Sequence, residues 1–252
     1  MTIPERAVAL FVSDLHLQAS HPITAATFLR FLAERAAAAQ QLYLLGDLFE
    51  YWAGDDDLAD PFHHTILTAL RAVSDAGVAV FWIAGNRDFL VGQAFADAAG
   101  LTLLQEPHVI TVAGQRIALV HGDAECTDDT NYMAFRAQVR QPAWQQQFLA
   151  MPLAQRKGII AGMREGSRTA HTMKADAIMD VTPAAVGALH AATGADTIIH
   201  GHTHRPALHV DGDRRRFVLP DWELDAAPER GGWIAIDKTG TITRHTLDGT
   251  TL

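Results

Sequence analysis

The chain has 252 residues, 48% of them hydrophobic, and a formal net charge of −9. Such a length buries a full core in one large α/β domain, and the acidic balance argues against general affinity for nucleic acid. The single cysteine, Cys126, excludes an internal disulfide, and thirteen histidines direct any metal chemistry toward imidazole and oxygen donors.

Met1 to Arg6 carry no basic or apolar signal region, and no run approaches about 18 apolar residues, so a cytoplasmic protein is expected. The first apolar run, residues 7–12, leads into Asp14-Leu15-His16, where strand alternation puts Asp14 and His16 on one face of an extended segment. Helical periodicity follows over 22–39, then a buried strand over 41–45 that closes in Gly46-Asp47. Residues 61–76 read as a helix stopped by Gly77, and 78–83 as a strand leading into Gly85-Asn86-Arg87-Asp88. A short helix ends at Ala99, 101–104 is a brief strand, and 108–112 with 116–120 form a hairpin that runs into His121.

Between 128 and 193 the pattern is helical only, broken at Pro142, Pro152, Gly166 and Pro183. The expected organisation is therefore a core of residues 1–127 plus 194–252, with 128–193 inserted as a helical cap. A strand over 195–199 leads to His200-Gly201-His202-Thr203-His204, and two hairpins, 207–210 with 217–219 and 233–236 with 241–246, close the chain.

Five apolar runs thus end in polar clusters: Asp14/His16, Asp47, Asn86, His121 and His200/His202. One Asp-x-His or Gly-Asp alone is ordinary turn chemistry; five such clusters at strand carboxyl ends converge on a single rim. Carboxylate, imidazole and amide oxygen without thiolate suit manganese, with magnesium, iron or zinc as alternatives. A shared carboxylate would hold two ions about 3.5–4 Å apart, the spacing that activates water and clamps a phosphoryl group.

Asp14-x-His16, Gly46-Asp47, Gly85-Asn86-Arg87-Asp88, His121-Gly122-Asp123 and Gly201-His202-x-His204 resemble the calcineurin-like metallophosphoesterase superfamily, over the chain outside the insertion. The resemblance implies a double-sheet sandwich flanked by helices. It also implies one metal on Asp14, His16 and His202 and a second on Asn86, His121 and His200, with Asp47 bridging them and His204 orienting the loop or substrate.

Most of that superfamily carries histidine after the asparagine, where it protonates a leaving alkoxide. Arg87 stands there instead and does not give up a proton. A phosphate monoester leaving from a pyrophosphate, with a second pKa of about 6, needs none. Arg87 then acts by neutralising charge on the phosphoryl oxygens, so Arg87 and Asp47 are the expected catalytic residues.

At closer range, residues 46–57 and 85–89, Asp128-Asp129, Ile178-Met179-Asp180 and residues 200–206 resemble the pyrophosphohydrolase family of lipid A biosynthesis that acts on UDP-2,3-diacylglucosamine. That resemblance implies two manganese ions directing water onto the α-phosphorus, with release of UMP and 2,3-diacylglucosamine 1-phosphate. It implies substrate contacts at Asn86, Arg87, Asp129, Ser167, Lys174 and His200, and puts His171 where the family has asparagine.

The insertion mixes apolar residues, among them Tyr132, Phe135, Trp144, Phe148, Ile160 and Met163, with seven bases over 134–174 against the one acid Glu165. An apolar groove with cations suits an acylated UDP-glucosamine lipid; the plainer reading is helix packing. Arg136, Arg140, Arg156 and Lys157 are the residues expected to meet the cytoplasmic face of the inner membrane peripherally. No obligate protein partner is expected. Other nucleotide or protein phosphoesterases of the superfamily, or a scaffold that has lost catalysis, are the competing readings.

Overall fold

The computed structural model describes residues 7–171 and 179–252, with the backbone alone for 165–171. In chain order the elements are β1 (Ala9–Val12), α1 (Pro22–Glu34), β2 (Gln41–Leu45), α2 (Pro61–Asp75), β3 (Ala79–Ile83), α3 (Gln93–Ala99), β4 (Leu101–Leu104), β5 (His108–Val112) and β6 (Gln115–Leu119). Four helices follow, α4 (Thr130–Val139), α5 (Pro142–Leu149), α6 (Leu153–His171) and α7 (Pro183–Thr193), and then β7 (Thr197–His200), β8 (Leu208–Asp211), β9 (Arg214–Val218), β10 (Gly232–Ile236) and β11 (Ile242–Thr246).

Two sheets result, ordered β11-β10-β1-β2-β3-β4 and β5-β6-β7-β9-β8. Strands β1 to β4 run parallel, as do β6, β7 and β9, so their carboxyl ends share a side. The period of two along each strand distributes the side chains between layers. Ala9 and Phe11 meet Tyr43, Leu45, Ile117, Leu119, Ile199 and Ile234 between the sheets. Leu10 and Val12 point the other way, with Leu42, Leu44 and Trp82, onto Phe28, Leu32, Ile66, Leu70 and Phe95 of α1 to α3. On the outer face of the second sheet, Ala118, Val120 and Ile198 pack against Leu189 and Val186 of α7. Helix α7 therefore covers the sheet, and the helices that stand over the strand ends are α4 to α6.

The run Arg214-Arg215-Arg216, outside the strands expected from the sequence, is the start of β9. Arg215 donates to Gln115 Oε1 at 2.7 Å and Thr197 Oγ1 at 3.1 Å, which turns a cationic stretch into a paired strand. Among the described residues no helix is long and apolar enough to cross a membrane.

Strands β2 and β3 are tied at their carboxyl ends by the fully buried carboxylate of Asp88. It accepts from the backbone N–H of Gly85 at 2.9 Å, Asp47 at 3.2 Å, Leu48 at 2.8 Å and Phe49 at 3.4 Å. Asp88→Ala strands these donors away from water, at a cost of at least about 3 kcal/mol. Urea unfolding should show that loss, and a smaller one for Asp88→Asn, which keeps one acceptor oxygen.

Candidate functional site

The loops leaving β1, β2 and β7 have an unusual backbone. Asp14, His16, Asp47, His202 and His204 have φ of 54°, 47°, 52°, 67° and 53°, and Ala113 is the one other non-glycine residue with positive φ among those described. Each such conformation costs about 1–3 kcal/mol and persists where surrounding bonds over-determine it. Here Asp14 N–H donates to Gly46 O at 3.0 Å, His16 N–H to Asp47 O at 3.0 Å and Gly201 N–H to His121 O at 2.8 Å. The extended segment expected for residues 14–16 is thus replaced by a left-handed loop. Asp14 and His16 still converge, through handedness rather than alternation.

Ligand-competent atoms of Asp14, Asp47 and His121 lie within 4.8 Å of one another, as do those of Asp14, His16 and His204. Asp47 sits between the halves, with Oδ2 at 4.0 Å from His16 Nε2 and Oδ1 at 3.7 Å from His121 Nε2. Asn86 Oδ1 is 3.0 Å from His121 Nε2 and 2.9 Å from His202 Nδ1.

The histidine assignment implied by the sequence needs correction. His200 is the last residue of β7 and is turned away from the cluster, with Nδ1 at 2.8 Å from Gly201 O and Nε2 at 3.0 Å from Arg216 Nη1. His202 stands beside Asn86 and His121 in its place, and His204, expected outside the cluster, stands beside Asp14 and His16, with Nε2 at 3.5 Å and 3.3 Å from them. Gly201 makes this possible, because a Cβ there would meet Asp14 Oδ2 and Ser13 Oγ at 2.2 Å. The available signal was the parallel between Asp14-x-His16 and His202-x-His204, both lying past the end of a strand.

Asp14 is fully buried and its Oδ1 has no hydrogen-bond partner. Burial opposes its ionisation, but the imidazole of His204 and the charges of His121 and His16 hold its pKa well below the carboxylate range. Burial likewise works to lower His121, yet the carboxylates of Asp47, Asp14, Asp123 and Glu106 prevail and raise it to about 9. Burial and the neighbouring His121 push His202 down to about 4. A pocket that holds a proton on His121 that firmly has a potential that favours cations. An orphaned carboxylate oxygen and a donor set of carboxylates, imidazoles and one amide fit divalent ions of hard to intermediate character.

Above the cluster lies a cavity of about 640 Å³. Its floor includes His16, Asp47, Asn86, Arg87, His202 and His204, and its walls include Trp52, Phe89 and Leu90 of the core and Trp144, Phe148, Ile160 and Met163 of α5 and α6. Arg87 Nε is buried without a hydrogen-bond partner. Of the other expected substrate contacts, Asp129, Tyr132 and Phe135 line the cavity and His200 does not. Asp129 also caps α4 by accepting from Tyr132 N–H at 3.1 Å. The Tyr132 ring lies 6.1 Å from that of His202, and its hydroxyl donates to Asp123. Lys174 and the side chains of Ser167 and His171 lie outside the described residues.

The four bases expected at a membrane face are turned to the protein instead. Arg136 pairs with Asp123 at 2.9 Å and Glu106 at 3.1 Å, and Arg140 donates to Gly85 O at 2.9 Å. Arg156 is 1% exposed and bonded to Ala53 O and Asp56, and Lys157 pairs with Asp57 at 2.7 Å. Each satisfies an acid or a carbonyl of the core, which periodicity and charge counting do not reveal.

The model of the family described as calcineurin-like phosphoesterase matches residues 8–206. A protein of Chromohalobacter salexigens named UDP-2,3-diacylglucosamine hydrolase is 49% identical over 232 residues, covering 90% of this chain and 92% of its own. Proteins of the same name from Aromatoleum aromaticum and Escherichia coli are 51% and 52% identical, each covering 86% of this chain, and 90% and 92% of their own.

Proposed function

The chain belongs to the calcineurin-like phosphoesterase family, and from that premise we propose that it hydrolyses the pyrophosphate bond of UDP-2,3-diacylglucosamine, giving UMP and 2,3-diacylglucosamine 1-phosphate. The observation that carries this reading is Arg87 next to Asn86 on the floor of a cavity whose walls are apolar.

In this reading Asp14, His16 and His204 hold one divalent ion, Asn86, His121 and His202 hold the other, and Asp47 is shared. The two ions, manganese by preference, supply Lewis-acid polarisation of water and of a phosphoryl oxygen when bound. Arg87 adds the charge the leaving group needs. Its neighbour Asp88 is occupied by backbone N–H groups, so the guanidinium is left to the phosphoryl oxygens. No side chain has to protonate a phosphate monoester as it departs. The aromatic and aliphatic walls take the acyl chains and keep bulk water from the anhydride.

The peripheral position on the cytoplasmic face of the inner membrane belongs to the same proposal. It is supported by the exposed apolar side chains Phe135, Leu149, Ile159 and Met163 rather than by the engaged bases.

The test is UMP release from UDP-2,3-diacylglucosamine beside bis(p-nitrophenyl) phosphate. Turnover of the lipid should vanish with chelator and return with Mn²⁺, and preference for the simple diester would sink the reading. Arg87→Ala should lower kcat at least ~10²-fold. Counting bound Mn²⁺ separates the two histidine assignments: His204→Ala should lose one of the two ions, whereas His200→Ala should keep both and lose thermal stability.

A further inference from the structure

We propose that Glu50 and Arg164 are positioning residues which orient the His16 imidazole, so that ion binding on the Asp14 side of the site depends on helix α6. This rests on the two-ion reading above. His16 Nδ1 lies 2.9 Å from Glu50 Oε2, a charge contact rather than an aligned hydrogen bond, while Nε2 faces Asp47 and His204. A carboxylate charge beside one imidazole nitrogen favours the proton there and leaves the lone pair on the other. The second oxygen of Glu50, Oε1, is paired with Arg164 Nη2, so each oxygen has one partner. Both side chains are shielded, at 12% and 18% exposure, and Arg164 lies over the Tyr51 ring at 5.5 Å.

Arg164 holds its place because α6 is fixed at its other end. Arg156, eight residues earlier and so about 12 Å along the helix, bonds to Ala53 O and Asp56 in the loop that follows β2. Beside it, Lys157 pairs with Asp57. Three bases of one helix therefore land on one loop, and the last of them reaches a group in contact with His16. His204 has a matching carboxylate, with Nδ1 at 3.6 Å from Asp221 Oδ2, and Arg230 Nη2 is 2.8 Å from the same oxygen. That second relay is built within the segment joining β9 to β10. One histidine of the pair is thus oriented from the core and the other from the cap.

The experiment is Mn²⁺ binding to the full chain, by calorimetry and by the electron paramagnetic resonance of the bound ion. Glu50→Gln should weaken one of the two sites by about 10–100-fold and leave the other as it was. Arg164→Leu should weaken the same site, and the double variant should bind no more weakly than Glu50→Gln alone, because Arg164 acts through Glu50. Arg164→Gln, which keeps a polar side chain and removes the charge, should weaken that site as well, and it carries the test should Arg164→Leu fail to fold. Wild-type affinity in both Arg164 variants, or losses that add in the double variant, would overturn the inference. A wild-type chain that binds no Mn²⁺ would instead overturn the two-ion reading beneath it.

Discussion

The contact on which the rim depends is the packing of one loop's backbone against the next loop's carboxylate. A Cβ on Gly85 would lie 2.1 Å from Asp47 Oδ1, so only glycine lets the β3 loop come this near. With the approach made, Arg87 N–H donates to Asp47 Oδ1 at 2.8 Å, and Asp88 folds back to hold the loop after β2. One four-residue turn thereby fixes the Asp47 carboxylate, presents Asn86 beside it and places Arg87 on the cavity floor. The buried Asp88 makes this costly: burial and the Asp47 carboxylate raise its pKa to about 7, against the backbone N–H groups it accepts from.

Much of this was legible in the sequence because parallel buried strands are nearly continuous apolar runs, and their ends are marked by a change to polar residues. Residues 41–45 were read to the residue, and Asp47, Asn86 and His121 follow directly from where the strands stop. His200 was misread for the same reason. A histidine closing an apolar run looks like a loop residue, yet it completes β7 and is buried against Arg216. The left-handed φ values of the cluster were also hidden, since nothing in Asp, His or their spacing announces a backbone strained by tertiary bonds.

Charge was the other signal that misled. Seven bases against one acid over residues 134–174 looks like a free cationic face. The partners of the five with described side chains, Arg136, Arg140, Arg156, Lys157 and Arg164, lie far away in sequence, at Glu50, Asp56, Asp57, Glu106 and Asp123. The acidic loop after β2 and the basic α6 are two halves of one interface, and composition counted by segment separates them. Hydrophobic burial alone would leave α6 free to slide; directional pairs to fixed carboxylates set its register against the loop after β2.

Arg87 stands apart from these cations. Arg136, Arg140, Arg156 and Lys157 are each spent on structure, and among the described residues Arg87 has no side-chain ion pair. A guanidinium beside a site that binds divalent cations is matched by a ligand that brings several negative charges. A pyrophosphate does, and its charge grows on the leaving phosphate as the bond breaks, where a fixed cation is worth more than a proton donor. The same guanidinium would be poorly matched to a strongly basic alkoxide leaving group, whose need is a proton that arginine does not release.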